Sequence, residues 1–175
     1  LRKLGEFHFV VRSGMLGSLD AGYNFTPIVE VGPEELAYVR VGETVYFSSP
    51  VTSGKIIDGQ ALPWGEQGSG IWVSPVTRPT ASLGMIRGRL LTAPPNATDL
   101  EIYKGRIYLA AGNLLWATEL YLYDRIERVR NFIQFEDEIT LVAAVDDGLY
   151  VGTTENLYFL QGTLGDGFKR SIVMG

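Results

Sequence analysis

The fold is decided by the stretch ITLVAAVDDGLYVGTTENLYFLQG, which spans residues 139–162. It contains three short apolar runs separated by two turn signals, Asp146-Asp147-Gly148 and residues 153–156. Short β-prone runs that alternate with Asp-Gly and Asn-containing turns are typical of antiparallel meanders. The stretch therefore predicts three consecutive antiparallel strands.

A second segment, LEIYKGRIYLAAGNLLWATE at residues 100–119, has the same pattern. When the two segments are aligned, Tyr108 matches Tyr150 and Trp116 matches Tyr158, each pair 42 residues apart. A period of about 42 residues with several strands per unit is typical of the blades of a β-propeller. Blades stack because a single sheet cannot bury both of its faces.

Residues 27–50, PIVEVGPEELAYVRVGETVYFSSP, repeat the pattern a third time, with Tyr38 and Tyr46 in the aromatic positions. At this period the 175 residues make about four units, which is the low end for a closed propeller. We predict a single all-β domain over residues 1–175, built from antiparallel meanders and propeller-like, with an incomplete propeller included in that prediction. A β-sandwich is the alternative, because it also has short strands and frequent turns.

Two regions carry weaker signals. Residues 119–135 are the least β-like, and the spacing of Ile126, Val129 and Ile133 fits one or two helical turns, while an irregular connection fits equally well. Residues 13–24 are rich in turn formers, and residues 59–81 predict a long loop around one short strand.

Composition limits the classes of function. The chain is 46% hydrophobic and 20% charged, as expected for a globular protein rather than a disordered one. Its 15 Lys and Arg residues against 20 Asp and Glu residues give a net charge of −5, which argues against direct nucleic-acid binding. The sequence has no cysteine, so disulfides, thiolate metal sites and cysteine nucleophiles are excluded.

We expect neither a membrane span nor a signal peptide. No apolar run approaches the roughly 18 residues that a span needs, and residues 1–11 have neither a long apolar core nor a small-residue cleavage site. The chain begins with Leu1 rather than methionine and ends on the strand-like sequence SIVMG. We expect it to be a piece of a longer polypeptide.

The densest acidic group comprises Asp146, Asp147 and residues 136–138. Carboxylates at this density suit a Ca²⁺ site or a hydrolytic pair, but the spacing of a calcium loop is missing. Because Asp-Gly is a common hairpin turn, we interpret Asp146 and Asp147 as turn residues.

His8 is the single histidine, so a Ser-His-Asp triad would have to include it. The sequence lacks the G-x-S-x-G motif, although Gly68-Ser69-Gly70 places a serine between glycines. We interpret His8 as a strand side chain, and we predict no catalytic residue, no metal ligand and no cofactor.

Aromatic and basic residues supply candidate contacts to a partner. The tryptophans are interpreted mainly as core between repeats, with Trp64 as the exception, because it lies in the loop sequence PWGEQG. The arginines of residues 119–135 alternate with Asp124 and Glu127, which fits local ion pairs or a contact to an acidic partner. The candidate partner-binding residues are Trp64, Tyr121, Tyr123, Arg125, Arg128 and Arg130.

Three motifs give the chain a resemblance to a group of tailed-bacteriophage and prophage proteins. They are VYFS at residues 45–48 with Gly54 and Ile56, LWAT at residues 115–118, and the meander at residues 139–162. The resemblance is most specific in the meander.

Proteins of this group resemble virion components, and propeller subunits similar to them form tail nozzles and other tail-associated rings. The resemblance implies a structural component of the virion, in the tail or the head-to-tail region, that binds other virion proteins and forms a homo-oligomer or a ring. It implies neither an enzyme nor a membrane protein. Two alternatives remain open, namely a lectin-like propeller that binds a host surface glycan and a glycan hydrolase, although the sequence shows no well-placed carboxylate pair for hydrolysis.

Overall fold

The computed structural model describes residues 2–4, 7–65, 71–73 and 89–174, which contain strands and turns and no helix. Sixteen of the strands form four antiparallel sheets of four, and each sheet is a meander in which neighbours in sequence are neighbours in the sheet. The prediction of an all-β protein built from antiparallel meanders is confirmed. The described part of the chain has no helix that could span a lipid bilayer.

The strands are numbered in chain order. Meander 1 comprises β1 (Arg2–Leu4), β2 (Phe7–Arg12), β3 (Met15–Leu19) and β4 (Phe25–Glu30). Meander 2 comprises β5 (Ala37–Val41), β6 (Thr44–Ser48), β7 (Ser53–Ile57) and β8 (Gln60–Pro63). A two-stranded sheet follows, made of β9 (Ile71–Val73) and β10 (Arg89–Leu91). Meander 3 comprises β11 (Asp99–Tyr103), β12 (Arg106–Ala111), β13 (Leu114–Ala117) and β14 (Phe132–Gln134). Meander 4 comprises β15 (Ile139–Val145), β16 (Gly148–Thr153), β17 (Leu157–Gln161) and β18 (Lys169–Met174).

Tight turns fix the register of the hairpins. The β7–β8 turn has φ of 51° at Asp58 and 75° at Gly59, and the β11–β12 turn has φ of 43° at Lys104 and 77° at Gly105. Two consecutive positive φ values are those of a type I′ turn, whose twist matches that of paired strands. A fixed register keeps alternate side chains on one face of the sheet, which determines what each face packs against.

The predicted repeat of 42 residues is confirmed for meanders 3 and 4 at the level of strand register. Tyr108 lies opposite Ala117, and Tyr150, 42 positions later, lies opposite Phe159. Tyr158, which the sequence matches to Trp116, is only 2% exposed, as expected for a packing residue.

The alignment of the third copy is wrong by one strand. Residues 27–50 span two sheets, because β4 belongs to meander 1. Tyr38 lies on the first strand of meander 2 and Tyr46 on the second, so Tyr46 alone is the counterpart of Tyr108. The alignment fails because the segment between meanders 2 and 3 is longer than that between meanders 3 and 4.

The four meanders pack face to face in chain order. Three clusters of buried side chains form between consecutive meanders: Leu16, Val45 and Phe47 between meanders 1 and 2, Tyr46, Ile107 and Leu109 between meanders 2 and 3, and Tyr108, Leu149 and Val151 between meanders 3 and 4. The first strand of meander 3, β11, lies beside β5 and β15. Each meander thus has a defined preceding and following neighbour, apart from the two at the ends of the stack.

Three further predictions about elements need correction or comment. Residues 119–135 form turns, isolated bridges and β14, and no helix. Residues 13–24 contain the strand β3, and residues 59–81 contain β8 as well as β9.

Candidate functional site: an exposed loop of meander 3

The connection between β13 and β14 carries a concentration of exposed apolar side chains. Leu120 is 51% exposed, Tyr121 73%, Leu122 47% and Val129 81%. Large exposed apolar side chains that cluster on one segment mark interaction sites more often than isolated ones do. We call these four residues the loop patch.

Backbone hydrogen bonds hold this connection in one conformation. Tyr121 N donates a bond of 2.8 Å to Gly105 O, in the β11–β12 turn, and Glu119 N donates a bond of 2.8 Å to Arg125 O. Thr92 and Ile126 exchange two bonds of 2.9 Å, which fasten the far side of the loop to the segment after β10. The loop patch is therefore displayed by an ordered loop on a rigid sheet, which is where binding residues are commonly found.

Tyr121 has a strained backbone. Its φ is 57°, in the left-handed region that a bulky residue rarely adopts. The ring lies on Gly105, where an added Cβ would come within 2.5 Å of Tyr121 Cε1. Strain of this kind, held by surrounding contacts, tends to occur at binding and active sites.

Trp64 does not lie at the surface, so the prediction that its side chain contacts a partner is wrong. The residue is 0% exposed and belongs to the core between meanders 2 and 3. Its Nε1 donates a bond of 2.8 Å to Tyr123 O, and its ring centroid lies 5.2 Å from that of Tyr46. Trp64 supports the loop from beneath and cannot touch a partner directly, while Tyr123 is half-buried.

The predicted arginines divide into one buried and two exposed side chains. Arg125 is only 8% exposed, which corrects the expectation that its charge faces a partner. Arg128 and Arg130 are exposed. Arg130 Nε lies 3.5 Å from Glu127 Oε1, and Arg128 Nε donates a bond of 3.2 Å to Thr92 Oγ1. The predicted local ion pairing is confirmed for Arg130.

An ion pair ties the loop to meander 2. Lys55 Nζ lies 2.6 Å from Asp124 Oδ2, and the two side chains are 17% and 31% exposed. Burial, together with the nearby charge of Asp124, raises the pKa of the Tyr46 hydroxyl well above its usual range. Tyr46 is therefore neutral at physiological pH and acts as a packing residue beneath the loop.

A second surface, a cleft of about 910 Å³, lies between meanders 1 and 2. Its lining combines apolar residues with polar ones: Phe9, Ile28, Val45 and Ile56 with Arg40, Glu43, Asp58 and Gln60. Its volume is within the range of small-ligand sites. Sequence reasoning misses this cleft because its residues come from two sheets whose pairing no local pattern reveals.

The remaining candidates of the sequence analysis lie on a turn, on a strand and outside the described residues. Asp146 and Asp147 are exposed in the β15–β16 turn, as predicted, and His8 lies on β2 opposite Leu19. Within residues 2–4, 7–65, 71–73 and 89–174, no three His, Asp or Glu side chains come together in a way that suits a metal ion. Gly68-Ser69-Gly70 lies outside the described residues.

No family model matches the chain, and no curated protein or solved structure matches it either.

Proposed function

We propose that the chain is a structural component of a bacteriophage virion, tail-associated or in the head-to-tail region, that assembles through protein–protein contacts. The resemblance of its motifs to tailed-phage proteins supports the setting. The observation that carries the mode of action is the loop patch, an exposed apolar surface held by a buried support.

The loop patch has the physical properties of a preorganised protein contact. Tyr121 offers a large amphipathic ring, the side-chain type that is enriched at the centre of interfaces. Because hydrogen bonds and the Trp64 contact already order the loop, a partner binds it without the entropic cost of ordering it. The partner's surface is expected to be an apolar depression.

The exposed arginines indicate which charge to expect around the apolar depression on the partner. Arg128 and Arg130 flank Val129 in the sequence, and Val129 is 81% exposed. Exposed charges at the rim of an interface steer encounter and select partners more than they add affinity. We expect an acidic rim on the partner and an association rate that falls with added salt.

The experiment compares Tyr121→Gly with Tyr23→Gly. Both tyrosines have positive φ, 57° and 61°, and both are exposed, 73% and 81%. Glycine relieves the backbone strain at each position, so both variants are expected to fold at least as well as the wild type. They differ in that only Tyr121 belongs to the loop patch.

Binding is measured by surface plasmon resonance to proteins released from purified virions of the phage or prophage that encodes the chain. Tyr121→Gly is expected to bind about 30-fold more weakly, the effect of losing a central aromatic contact worth about 2 kcal/mol. Tyr23→Gly is expected to bind as the wild type does. Equal binding by both variants, or a wild-type chain that binds no virion protein, refutes the proposal.

Glycan binding is a second candidate, favoured by the polar and apolar lining of the cleft between meanders 1 and 2. Glycans are bound by such mixtures, in which side chains such as Asp58 and Gln60 accept and donate hydrogen bonds. A glycan array gives the test. Binding that is lost in Asp58→Asn and kept in Tyr121→Gly supports this candidate, whereas an array without binding removes it.

A further inference from the structure

Each meander carries an aromatic residue at the same place in its strand register. Phe9, Tyr46, Tyr108 and Tyr150 each lie two residues beyond the first pair of the hairpin between the first and second strands. Sequence comparison reveals this position only for Tyr108 and Tyr150. The register extends it to all four meanders.

In three of the four meanders, this aromatic residue faces the following meander. Phe9 packs on the core between meanders 1 and 2, and Tyr46 lies in the core between meanders 2 and 3. Tyr108 lies in the core between meanders 3 and 4 and is 1% exposed. The position thus marks the face with which a meander covers its next neighbour.

Tyr150 marks the corresponding face of meander 4, which no described element covers. This face comprises Leu141, Ala143, Val145, Tyr150, Leu157 and Phe159, and we call it the Tyr150 face. Leu141 is 47% exposed and Val145 40% exposed. By contrast, the counterparts of Val145 and Leu157 in meander 3, Tyr103 and Leu115, are 5% and 1% exposed.

We propose that the Tyr150 face binds meander 1 of a second copy of this chain, so that copies stack head to tail. The inference rests on the proposed function in taking assembly as the role of the chain, and it names a partner and an interface separate from the loop patch. The contact continues the packing order of the chain, in which the aromatic face of one meander covers the next.

The register also identifies the receiving residues. Ile107 and Leu109 receive Tyr46 in the core between meanders 2 and 3. Their counterparts at the same register in meander 1 are His8 and Val10, both half-buried. These two residues lie on the face of meander 1 that points away from meander 2, at the other end of the stack.

The packing order favours the head-to-tail contact over a contact between two Tyr150 faces. In meanders 1 to 3, the face that carries the aromatic residue packs on the opposite face of the next meander, and not on a second aromatic face.

A head-to-tail contact uses different surfaces on the two copies. Each bound copy keeps one free face of each kind, so further copies add until the rotation closes a ring or continues as a filament. Exposed apolar sheet faces of this kind are rarely left open in a monomer.

Sedimentation velocity over a concentration series tests the proposal, with Val145→Lys as the test variant and Leu62→Lys as the control. Leu62 lies on β8 and is 42% exposed, and Val145 is 40% exposed. Each substitution therefore replaces an apolar side chain of similar exposure with a lysine. We expect the wild type and Leu62→Lys to self-associate to the same extent. We expect Val145→Lys to associate at least about tenfold more weakly.

A mixing experiment identifies the second face. Val10→Lys by itself is also expected to associate at least about tenfold more weakly than the wild type. An equimolar mixture of Val10→Lys and Val145→Lys is nevertheless expected to form a dimer and nothing larger, because each variant keeps one intact face. Val10→Lys that still dimerises by itself overturns the head-to-tail arrangement. A wild type that stays monomeric at every concentration, or Val145→Lys that assembles as the wild type does, overturns the interface.

Two further measurements keep the test independent of folding and of the loop patch. Hydrogen exchange of the wild type should slow in residues 141–159 as concentration rises, and unchanged exchange there contradicts the proposal. Tyr121→Gly should self-associate as the wild type does. Loss of virion binding in that variant with intact self-association therefore separates the two interfaces.

Discussion

Trp64 Nε1 donates a hydrogen bond of 2.8 Å to the backbone carbonyl oxygen of Tyr123, and this bond joins the end of meander 2 to the exposed loop of meander 3. The indole is fully buried, whereas Tyr121, two residues before Tyr123, is 73% exposed. A core residue thus fixes the position of a surface residue, which is how a rigid interface is built from a loop.

Trp64→Phe is expected to lower the free energy of unfolding by about 1–3 kcal/mol. The substitution keeps an aromatic ring beside Tyr46, but it leaves a small void and removes the donor to the Tyr123 carbonyl. Urea unfolding measures the loss. Trp116→Phe is the control, since Trp116 is only half-buried and its ring packs on Phe132. Equal losses for the two variants contradict a special role for the Trp64 bond.

The Lys55–Asp124 pair is expected to couple by about 0.5–3 kcal/mol in a double-mutant cycle with Lys55→Met and Asp124→Asn. Its side chains are 17% and 31% exposed, so water screens the pair only partly. The matched pair is Arg40–Glu43, in which Glu43 is 88% exposed, and its coupling is expected to stay at or below about 0.5 kcal/mol. The ranking fails if the exposed pair couples as strongly as Lys55–Asp124.

Gly105→Ala is expected to destabilise the chain by about 1–3 kcal/mol and to weaken loop-patch binding. The new Cβ would meet the Tyr121 ring at 2.5 Å, on a backbone with φ of +77°. Gly112→Ala is the control, since Gly112 has φ of +59° and no atom within 4 Å of the added Cβ. The control therefore measures the backbone strain alone. Thermal unfolding of both variants checks the difference, and equal melting temperatures are the contradicting result.

Asp99 is expected to make the chain more stable as the pH falls toward about 4. Burial raises the pKa of the Asp99 carboxyl above its usual value, while hydrogen bonds from Val142 N and Leu100 N oppose the rise. An acid whose pKa is higher in the folded state stabilises the fold below its unfolded pKa, and this contribution is lost as the pH rises through the folded pKa. The stabilising contribution is therefore complete below the unfolded pKa of 3.8 and is lost as the pH rises above it.

The measurement is the free energy of unfolding of the wild type and of Asp99→Asn between about pH 3.5 and pH 7. The free energy of unfolding of the wild type, minus that of Asp99→Asn, should increase as the pH falls. Asp20→Asn serves as the control of opposite sign, because the hydrogen bond from Asn24 lowers the pKa of Asp20. A difference curve for Asp99→Asn that is flat, or that slopes as the Asp20 curve does, contradicts the assignment.

Local patterns in the sequence account for much of the fold. The Asp-Gly and Lys-Gly dipeptides at Asp58 and Lys104 predict hairpin turns, and the alternation of apolar and polar residues between turns predicts the strands. The repeat of 42 residues places Tyr108 and Tyr150 at one register because no long segment separates meanders 3 and 4. These features depend on neighbours in sequence, which is why sequence reasoning finds them.

The predictions from sequence are wrong where a contact between residues far apart in the sequence determines the structure. The strand β3 contains Gly17, which reads as a turn former, yet a Cβ there would come within 2.5 Å of the Phe25 ring of the neighbouring strand. Trp64 lies in a loop sequence rich in Gly and Pro, and its burial depends on meander 3 and on the Tyr123 carbonyl. Neither contact has a local signature.

The candidate site shows the same division. Tyr121, Arg128 and Arg130 lie in the segment whose sequence is least β-like, so the sequence indicates the loop and its exposed residues. The burial of Arg125 and the open Tyr150 face depend on how sheets stack, which only the register and the packing of the meanders reveal.

Quantitative mass spectrometry of phage particles, induced from the organism that carries this sequence and purified on a gradient, tests the proposal that the chain is a virion component. We predict that the chain stays with the particles through purification, in a fixed ratio to their tail proteins. Particles in which tail proteins are detected and this chain is missing contradict the proposal.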